Sequence, residues 1–207
     1  MILIDFTQTI IAGLMAQLKM NDGEIHEDML RHMILNSVRN YSKRYSNEYG
    51  EIVLCTDASN PWRREFFPQY KANRKKTREA SDMDWKLIFD TLQKVKEEIR
   101  DNFPYHYLYV ERCEADDIIA VLTKHSKEPV LIVSGDKDFQ QLQKYDYVTQ
   151  WSPNLNRFVD VDDAETFLKE HILKGDKSDG IPNCLLYTSP SPRDVEESRI
   201  AGWGWKK

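Results

Sequence analysis

The segment VLIVSGDKD, residues 130–138, joins an apolar, β-branched run directly to a glycine and two aspartates. A short apolar run that ends at a turn signal is typical of a strand buried on both faces of a parallel sheet. We therefore predict a central strand at Val130–Ser134 with acidic residues at its carboxyl end. Similar runs predict strands at Met1–Ile4, Ile52–Thr56 and Tyr105–Val110, and a weaker run predicts one at Tyr145–Gln150.

The segments between these strands carry the 3.6-residue apolar period of amphipathic helices. The periodic stretches are Thr9–Lys19, His26–Tyr45, Asp84–Asp101, Ala115–His125 and Asp162–Leu173. Strands that alternate with helices form a mostly parallel sheet with helices on both faces. The predicted fold class is therefore α/β, a three-layer α/β/α arrangement around a mostly parallel central sheet.

The composition is that of a globular protein without membrane segments. Of 207 residues, 41% are hydrophobic and 30% are charged, and no apolar run approaches the length of a membrane span. Three widely spaced cysteines, Cys55, Cys113 and Cys184, lack the spacing of a disulfide framework or a zinc site. The five histidines show no ligand-like clustering in the sequence. We expect a cytoplasmic protein with no membrane partner.

Acidic residues follow the predicted strands at the points where the strands end. They are Asp5, Asp57 and Asp136 and, at the start of the helix after the third strand, Glu114, Asp116 and Asp117. Because the carboxyl ends of parallel strands meet at one edge of a sheet, these side chains should lie together. Each of them alone is more simply interpreted as a cap, a turn residue or a first-turn charge. Together they would repel one another without cations, so we predict a site for Mg²⁺, which prefers oxygen ligands.

The segment PWRREFFPQYKANRKKTREASD, residues 61–82, does not fit the alternation of strands and helices. It combines aromatic residues with seven basic residues between positions 63 and 78, although the net charge of the chain is −5. Aromatic rings that stack on bases and cations that follow phosphates are the ingredients of a single-strand channel. The alternatives are a solvated charged surface and an ordinary helix whose Phe66 and Phe67 pack on the core.

Five motifs follow one another along the chain. They are LIDFTQT (3–9), LCTDASNPWRREFFPQYKANR (54–74), CEADDIIA (113–120), SGDKDFQQL (134–142) and LKGDKSDGIPN (173–183). In these motifs and their order the sequence resembles the 5′-nuclease superfamily, which includes flap endonucleases and the 5′-nuclease domain of bacterial DNA polymerase I, and most closely the ribonuclease H of T-even phages. The resemblance implies a PIN-like 5′-nuclease fold, a catalytic domain at residues 1–183 and a helical arch at about residues 61–84.

The resemblance also implies roles for the acidic residues. Those that match the first metal site are Asp5, Asp57, Glu114, Asp117 and Asp136, with Asp116 in the same motif, and those that match the second are Asp138, Asp176 and Asp179. The implied cofactor is a pair of Mg²⁺ ions, for which Mn²⁺ can substitute. Two such ions roughly 4 Å apart serve phosphodiester hydrolysis, in which Asp136 is implied to be catalytic.

The arch supplies the contacts to nucleic acid. Lys71 and Arg74 match catalytic basic residues at its base, and Tyr70 matches an aromatic residue that stacks near the scissile bond. The expected nucleic-acid-binding residues are Arg63, Arg64, Tyr70, Lys71, Arg74, Lys75, Lys76 and Arg78.

The activity implied by the resemblance is a Mg²⁺-dependent, structure-specific 5′-nuclease. It would act as a 5′→3′ exonuclease, flap endonuclease or ribonuclease H during removal of replication primers. The substrate would be DNA or an RNA–DNA hybrid with a 5′ end or flap, in the cytoplasm of a phage-infected bacterium. The partners implied by the same analogy are a single-strand-binding protein and a sliding clamp.

Three other functions remain open. In a haloacid-dehalogenase-like phosphatase, Asp5 of DFTQT would be a covalent nucleophile, but EADD and the basic segment would stay unexplained. A small ribonuclease of the PIN type shares the acidic edge but lacks the long arch. A truncated binding module would hold metal and nucleic acid without turnover.

The last segment, CLLYTSPSPRDVEESRIAGWGWKK at residues 184–207, differs in composition from the rest of the chain. It is rich in serine and proline and shows no helical or strand period. In the family, the chain continues after GIPN into a glycine-rich helical hairpin that grips duplex backbone, and we expect this hairpin to be missing or replaced. We predict a non-native or disordered tail that contributes to neither the fold nor the site.

Overall fold

The computed structural model describes residues 1–20, 24, 26–81 and 83–184. The helices and strands in chain order are β1 (Ile2–Asp5), α1 (Phe6–Met20), α2 (Glu27–Tyr49), β2 (Ile52–Thr56), α3 (Arg63–Phe66), α4 (Ala72–Glu79), α5 (Trp85–Asn102), β3 (His106–Tyr109), α6 (Ala115–His125), β4 (Val130–Val133), a 3₁₀ helix (Lys137–Lys144), β5 (Val148–Ser152), β6 (Arg157–Val159) and α7 (Ala164–Lys174). Within these residues, no helix is long and apolar enough to cross a membrane. Apart from Cys184, the predicted tail lies outside the described residues.

The strands form one six-stranded sheet in the order β3-β2-β1-β4-β5-β6. Every neighbouring pair is parallel except β5 with β6, which is antiparallel. The predicted α/β class with a mostly parallel central sheet is confirmed. Because the strand order reverses at β1, the crevice above the carboxyl ends of β1 and β4 is the point at which open α/β sheets bind ligands.

Alternate residues of the central strands pack on opposite faces of the sheet. Ile2 and Ile4 of β1 belong to a core that includes residues of α1, α2 and α5. Leu3 packs on the other face, with residues of α6 and the 3₁₀ helix. Each fully buried aliphatic side chain stabilises the fold by roughly 1.5–3 kcal/mol relative to its exposed state. The strand ends that carry the acidic residues are therefore fixed from both faces.

Some element boundaries differ from those predicted. The weak strand predicted at Tyr145–Gln150 is β5, which lies at Val148–Ser152 because the chain after β4 first forms the 3₁₀ helix. The edge strand β6 has only three residues, too few to show a period of two, and was not predicted. Helix α1 begins at Phe6 and not at Thr9, so Asp5 lies directly at the junction of strand and helix.

The segment predicted as an arch contains the short helices α3 and α4, joined by a turn through Tyr70 and Lys71. The backbone N–H of Lys71 donates to the carbonyl of Asp179 (2.8 Å), which ties the base of the segment to the loop GDKSDG. Phe66 is 80% exposed, so the alternative in which this ring packs on the core is wrong.

Candidate active site

Asp5 ends β1 at the centre of the acidic edge and is buried. Its carboxylate accepts hydrogen bonds from the backbone N–H of Gln8 (3.0 Å) and the hydroxyl of Ser134 (3.4 Å). Burial raises the pKa of Asp5 to about 7, and repulsion from Asp57 and Asp136 acts in the same direction. Acidic groups from the ends of β1, β2 and β4 therefore influence one another, as their positions in the sequence predict.

Asp116 joins this group from the first turn of α6. Burial, together with the charges of Asp5, Asp136 and Asp57, raises the pKa of Asp116 to about 8. Asp57 also accepts from the backbone N–H of Ala115 (2.7 Å), which draws the start of α6 towards β2. We call Asp5, Asp57, Asp116 and Asp136 the central carboxylates. Raised pKa values among neighbouring carboxylates are expected where a positive partner is lacking.

Asp117 has contacts of a different kind. Its Oδ2 accepts from the backbone N–H of Glu114 (3.0 Å) in a capping box, from Arg63 (2.8 Å) and from the indole of Trp62 (3.1 Å). Burial tends to raise the pKa of Asp117, but these hydrogen bonds hold it below its usual range. Successive helical residues point about 100° apart. Asp116 therefore faces the other three central carboxylates, while Asp117 faces the basic segment.

Glu114 connects the acidic edge to the basic segment. It is 5% exposed, and its Oε1 accepts from the ammonium group of Lys71 (2.7 Å). Its Oε2 accepts from the hydroxyl of Tyr70 (2.8 Å) and from Arg63 (3.1 Å). Burial and the hydrogen bond to Glu114 raise the pKa of the Tyr70 hydroxyl, which therefore stays a donor. Tyr70 is buried beneath Lys71 and Arg63, so its predicted stacking on a base remains a prediction.

A second group consists of Asp138, His171 and Asp176, whose ligand atoms all lie within 4.8 Å of one another. In the described part of the chain this is the only set of three or more potential ligands that meets so closely, so the central carboxylates are spread more widely. Burial and repulsion from Asp136 raise the pKa of Asp138. Burial also tends to raise the pKa of Asp176, but hydrogen bonds from Ser178 hold it at about 2.

Asp179 lies with the base of the arch and not in that set. Its Oδ1 accepts from Arg74 (2.8 Å), and its Oδ2 is 3.8 Å from the ammonium group of Lys71. A side chain at Gly180, which has a φ of +77°, would meet the carbonyl of Gln69 at 3.0 Å. Gly180 therefore allows the loop GDKSDG to lie close to the base of the arch.

The remaining predicted nucleic-acid contacts differ in exposure. Arg64 is exposed, and Arg78 lies over the rings of Trp85 and Phe89, with its guanidinium carbon 6.0 and 5.3 Å from their centroids. The side chains of Lys75 and Lys76 lie outside the described residues, although α4 includes their backbone.

A cavity of about 560 Å³ joins the acidic and aromatic parts of the site. Trp62 and Phe66 line it together with Asp116 and Asp138. The two rings lie edge to face with their centroids 5.8 Å apart. The cavity therefore places apolar ring surface, suited to bases, beside carboxylates suited to cations.

Sequence reasoning missed two titratable residues of the site, His171 and Lys96. The ammonium group of Lys96 on α5 donates to the hydroxyl of Thr7 (3.1 Å). Burial lowers the pKa of Lys96, while the charges of Asp57 and Asp5 act to raise it, so this lysine lies near the central carboxylates. The sequence gives no signal for Lys96 beyond its place next to a buried position of an amphipathic helix.

Gln8 is a third missed residue, and it orders the turn after β4. Its side-chain oxygen accepts from the backbone N–H of Gly135 (2.6 Å) and from the hydroxyl of Ser134 (3.1 Å). A Cβ atom at Gly135 would lie 2.5 Å from the side-chain nitrogen of Asn154, so a larger residue in GDKD would displace the Asn154 side chain. The signal available in the sequence was the position of Gln8 within LIDFTQT.

The fold and the site together define an α/β domain with carboxylates at the switch point of a mostly parallel sheet and a basic segment above them. The chain belongs to the family described as 5′-3′ exonuclease, N-terminal resolvase-like domain, which matches residues 1–172.

Individual relatives agree with this family. The chain is 43% identical over 188 residues to the ribonuclease H of Enterobacteria phage T4, covering 86% of this chain and 61% of that protein. It is 32% identical over 149 residues to a 5′-3′ exonuclease of Streptomyces coelicolor, covering 63% of this chain and 50% of that protein. The chain thus spans half to about three fifths of the length of these curated relatives.

A solved structure shares the fold. The flap endonuclease of bacteriophage T5, crystallised as a pseudo-enzyme–product complex with DNA and metal ions, matches with a TM-score of 0.70 at 22% identity. The match covers 88% of this chain and 68% of that one. It confirms the predicted 5′-nuclease architecture.

Proposed function

We propose that this chain is the catalytic part of a divalent-metal-dependent 5′-nuclease that hydrolyses phosphodiester bonds in DNA or an RNA–DNA hybrid at a 5′ end or flap. The observation that carries the proposal is the meeting of the central carboxylates with a basic segment held in place through Glu114 and Lys71. The names of the relatives, which include a ribonuclease H and a 5′-3′ exonuclease, support the same reaction.

The donor set fits Mg²⁺ as the ion. The central carboxylates offer oxygen ligands. Burial raises the pKa values of Asp5 and Asp116, and their neighbours' negative charges act in the same direction, a repulsion that a divalent cation would relieve. When bound, two such ions roughly 4 Å apart supply an activated water and stabilise charge on the leaving oxygen. We propose two Mg²⁺ ions, for which Mn²⁺ can substitute, with Asp138, Asp176 and Asp179 serving the second. The complex of the phage T5 relative with DNA and metal ions supports this proposal.

The basic residues would position the substrate. Lys71, which pairs with Glu114, lies where it can transfer its hydrogen bonds to a phosphate that enters between the arch and the central carboxylates. Arg74 is half exposed, and its planar guanidinium can hold a phosphate through two N–H groups. The exposed rings of Trp62 and Phe66 offer stacking surfaces for unpaired bases.

The test is a cleavage assay on labelled 5′-flap and nicked duplexes. We expect cleavage in Mg²⁺ or Mn²⁺ that leaves a 5′ phosphate, none in chelator, and binding without cleavage in Ca²⁺. Asp136→Asn should abolish turnover with the fold intact, while Asp146→Asn, at an exposed position, should not.

Three outcomes would contradict the proposal, and two of them would favour another function. Full cleavage in chelator would contradict the metal-dependent reaction. Hydrolysis of a small phosphate ester with trapping of a phosphorylated Asp5 would favour the phosphatase. Tight binding in Ca²⁺ with no turnover in Mg²⁺ would favour a binding module.

We also propose that residues 1–183 form the catalytic unit. Cys184, the first residue of the predicted tail, adds one contact to it, because its N–H donates to the carbonyl of Leu173 (3.0 Å). A chain that ends at Cys184 keeps this contact and should melt at the same temperature. The phage and bacterial sources of the relatives support action in the cytoplasm of a phage-infected bacterium. A single-strand-binding protein or a sliding clamp would then be the partner.

A further inference from the structure

His171 lies outside the motifs that carry the family resemblance, yet its ring faces the second acidic group. Its Nε2 is 2.8 Å from Oδ1 of Asp138, and the ligand atoms of Asp138, His171 and Asp176 all lie within 4.8 Å of one another. An ion that bonds each ligand at about 2.1 Å brings opposite ligands to about 4.2 Å. Closing the three residues around an ion therefore needs side-chain shifts of less than about 1 Å.

The imidazole of His171 is held in position before any ion binds. Its side chain is only 18% exposed, and the ring of Phe167, one helical turn earlier on α7, stacks against it with centroids 5.7 Å apart. Gly175 ends α7 with a φ of +67°, and a side chain there would meet the carbonyl of Pro182 at 2.4 Å. The tight turn at Gly175 brings Asp176 back beside His171. A ligand fixed in this way loses little conformational freedom on binding.

Asp176 offers one oxygen to this group. Its Oδ1 accepts from the backbone N–H (2.7 Å) and the hydroxyl (2.6 Å) of Ser178. Its Oδ2 lies 3.2 Å from the ammonium group of Lys137, whose side chain is about half exposed. A divalent cation can therefore replace Lys137, whose ammonium group then moves into solvent.

We propose that His171 is a ligand of the ion at Asp138 and Asp176, and that its nitrogen makes this position prefer Mn²⁺ or Co²⁺ over Mg²⁺. The proposal rests on the proposed function for the presence of a second ion, and it adds both a ligand and a selectivity. Imidazole binds first-row transition ions more readily than Mg²⁺, which prefers carboxylate and water oxygens. The central carboxylates offer only oxygen, so the two positions differ in the ion that they favour.

The first experiment is a calorimetric titration of the full chain with MgCl₂, MnCl₂ and CoCl₂ in the absence of nucleic acid. In His171→Gln, the Co²⁺ affinity of one site should fall by about 10–100-fold, while Mg²⁺ binding changes little. The matched control is His125→Gln, since His125 is exposed at the end of α6 and bonds only locally, to the carbonyl of Val121 (2.9 Å). Circular dichroism and the melting temperature would check the fold of both variants.

The second experiment has its main readout on the unaltered chain, so it stands even if His171→Gln does not fold. Pulsed electron paramagnetic resonance of the Mn²⁺-loaded chain should detect nitrogen coupling, which His171→Gln removes and His125→Gln retains. Absence of nitrogen coupling in the unaltered chain would overturn the proposal and leave His171 as a hydrogen-bond donor to Asp138. Nitrogen coupling in a chain that cleaves no nucleic acid would contradict the proposed nuclease function while supporting the ligand.

Discussion

The ammonium group of Lys71 donates to Oε1 of Glu114 at 2.7 Å, and this bond joins the basic segment to the acidic edge. Lys71 reaches this position with a φ of +56°, which is uncommon for a residue with a side chain. Its backbone N–H is held by the carbonyl of Asp179 (2.8 Å). Contacts at both ends of the residue maintain a backbone conformation that would otherwise be unfavourable.

The role of Lys71 can be tested with Lys71→Ala. Because its charge acts most strongly where phosphate oxygens gain charge in the transition state, we expect single-turnover cleavage to fall by about 10²–10³-fold. Binding of a 5′-flap duplex in Ca²⁺ should fall much less. Lys124→Ala, in the last turn of α6 and exposed, is the control. Equal losses of rate and affinity would instead make Lys71 a simple phosphate anchor.

Asp116 and Asp117 should respond differently to the same change. Asp116→Asn removes a buried charge that the other central carboxylates repel, so turnover in Mg²⁺ should be lost while the metal-free chain becomes more stable at pH 8. Asp117→Asn weakens the capping box of α6 and the pairing with Arg63, so the free energy of unfolding should fall by about 1 kcal/mol.

These two variants also test the assignment implied by the family resemblance, which places Asp117 at the first metal site. The measurements are urea unfolding in chelator and calorimetric titration with MgCl₂. Loss of Mg²⁺ binding in Asp117→Asn together with normal binding in Asp116→Asn would support Asp117 as the ligand.

The stability of the metal-free chain should depend on pH through Asp5 and Asp116. Their pKa values rise from 3.8 to about 7 and about 8 on folding, so the folded chain binds more protons than the unfolded chain between about pH 4 and 8. The free energy of unfolding therefore falls as the pH rises through this window. The lowered pKa of Asp176 acts only below about pH 4 and has the opposite sign.

Urea unfolding in chelator at about pH 5.5 and pH 8 measures this effect. We expect lower stability at pH 8, recovery of that loss on addition of Mg²⁺, and a smaller pH dependence in Asp116→Asn. A metal-free chain that is more stable at pH 8 than at pH 5.5 would mean that these carboxylates are charged and compensated in the fold.

The sequence predicts those parts of the molecule that depend on local patterns. The apolar run Val130–Val133 is a fully buried strand, and Asp136 follows it at the edge where ligands bind. Residue patterns alone do not choose between Asp116 and Asp117, because the choice depends on how α6 is rotated about its axis. The family resemblance implies Asp117, whose carboxylate faces Arg63 in the fold. That rotation is set by tertiary contacts such as the bond from the backbone N–H of Ala115 to Asp57.

His171 shows a second limit of sequence reasoning. It lies 33 residues from Asp138 in the chain, and no fixed spacing links the two. Their meeting depends on α7 packing against the 3₁₀ helix, an element that apolar periodicity did not predict. The histidines therefore looked unclustered in the sequence, although one of them meets two aspartates in the fold.

Lys96 carries the last prediction, because its charge lies near the central carboxylates and competes with a divalent ion there. Lys96→Met should raise the Mg²⁺ affinity of the chain at least about fivefold, since two charges about 4 Å apart repel each other by about 1 kcal/mol in water and by more at a partly buried site. Without metal, the same change should lower stability at pH 8, because Asp5 and Asp57 lose a positive neighbour. The effects on the metal-free and the metal-bound chain thus have opposite signs.

Calorimetric titration with MgCl₂ and urea unfolding in chelator measure the two effects of Lys96→Met. The control is Lys86→Met, an exposed position in the first turn of the same helix, which should change neither.

A different result would follow if Lys96 acts through Thr7, whose hydroxyl accepts from Lys96 and from the backbone N–H of Asp57 (both 3.1 Å). Mg²⁺ affinity would then fall in Lys96→Met and also in Thr7→Val, because Asp57 would lose its position. A parallel loss in both variants would therefore make Lys96 a positioning residue for Asp57 and contradict its role as a competing charge.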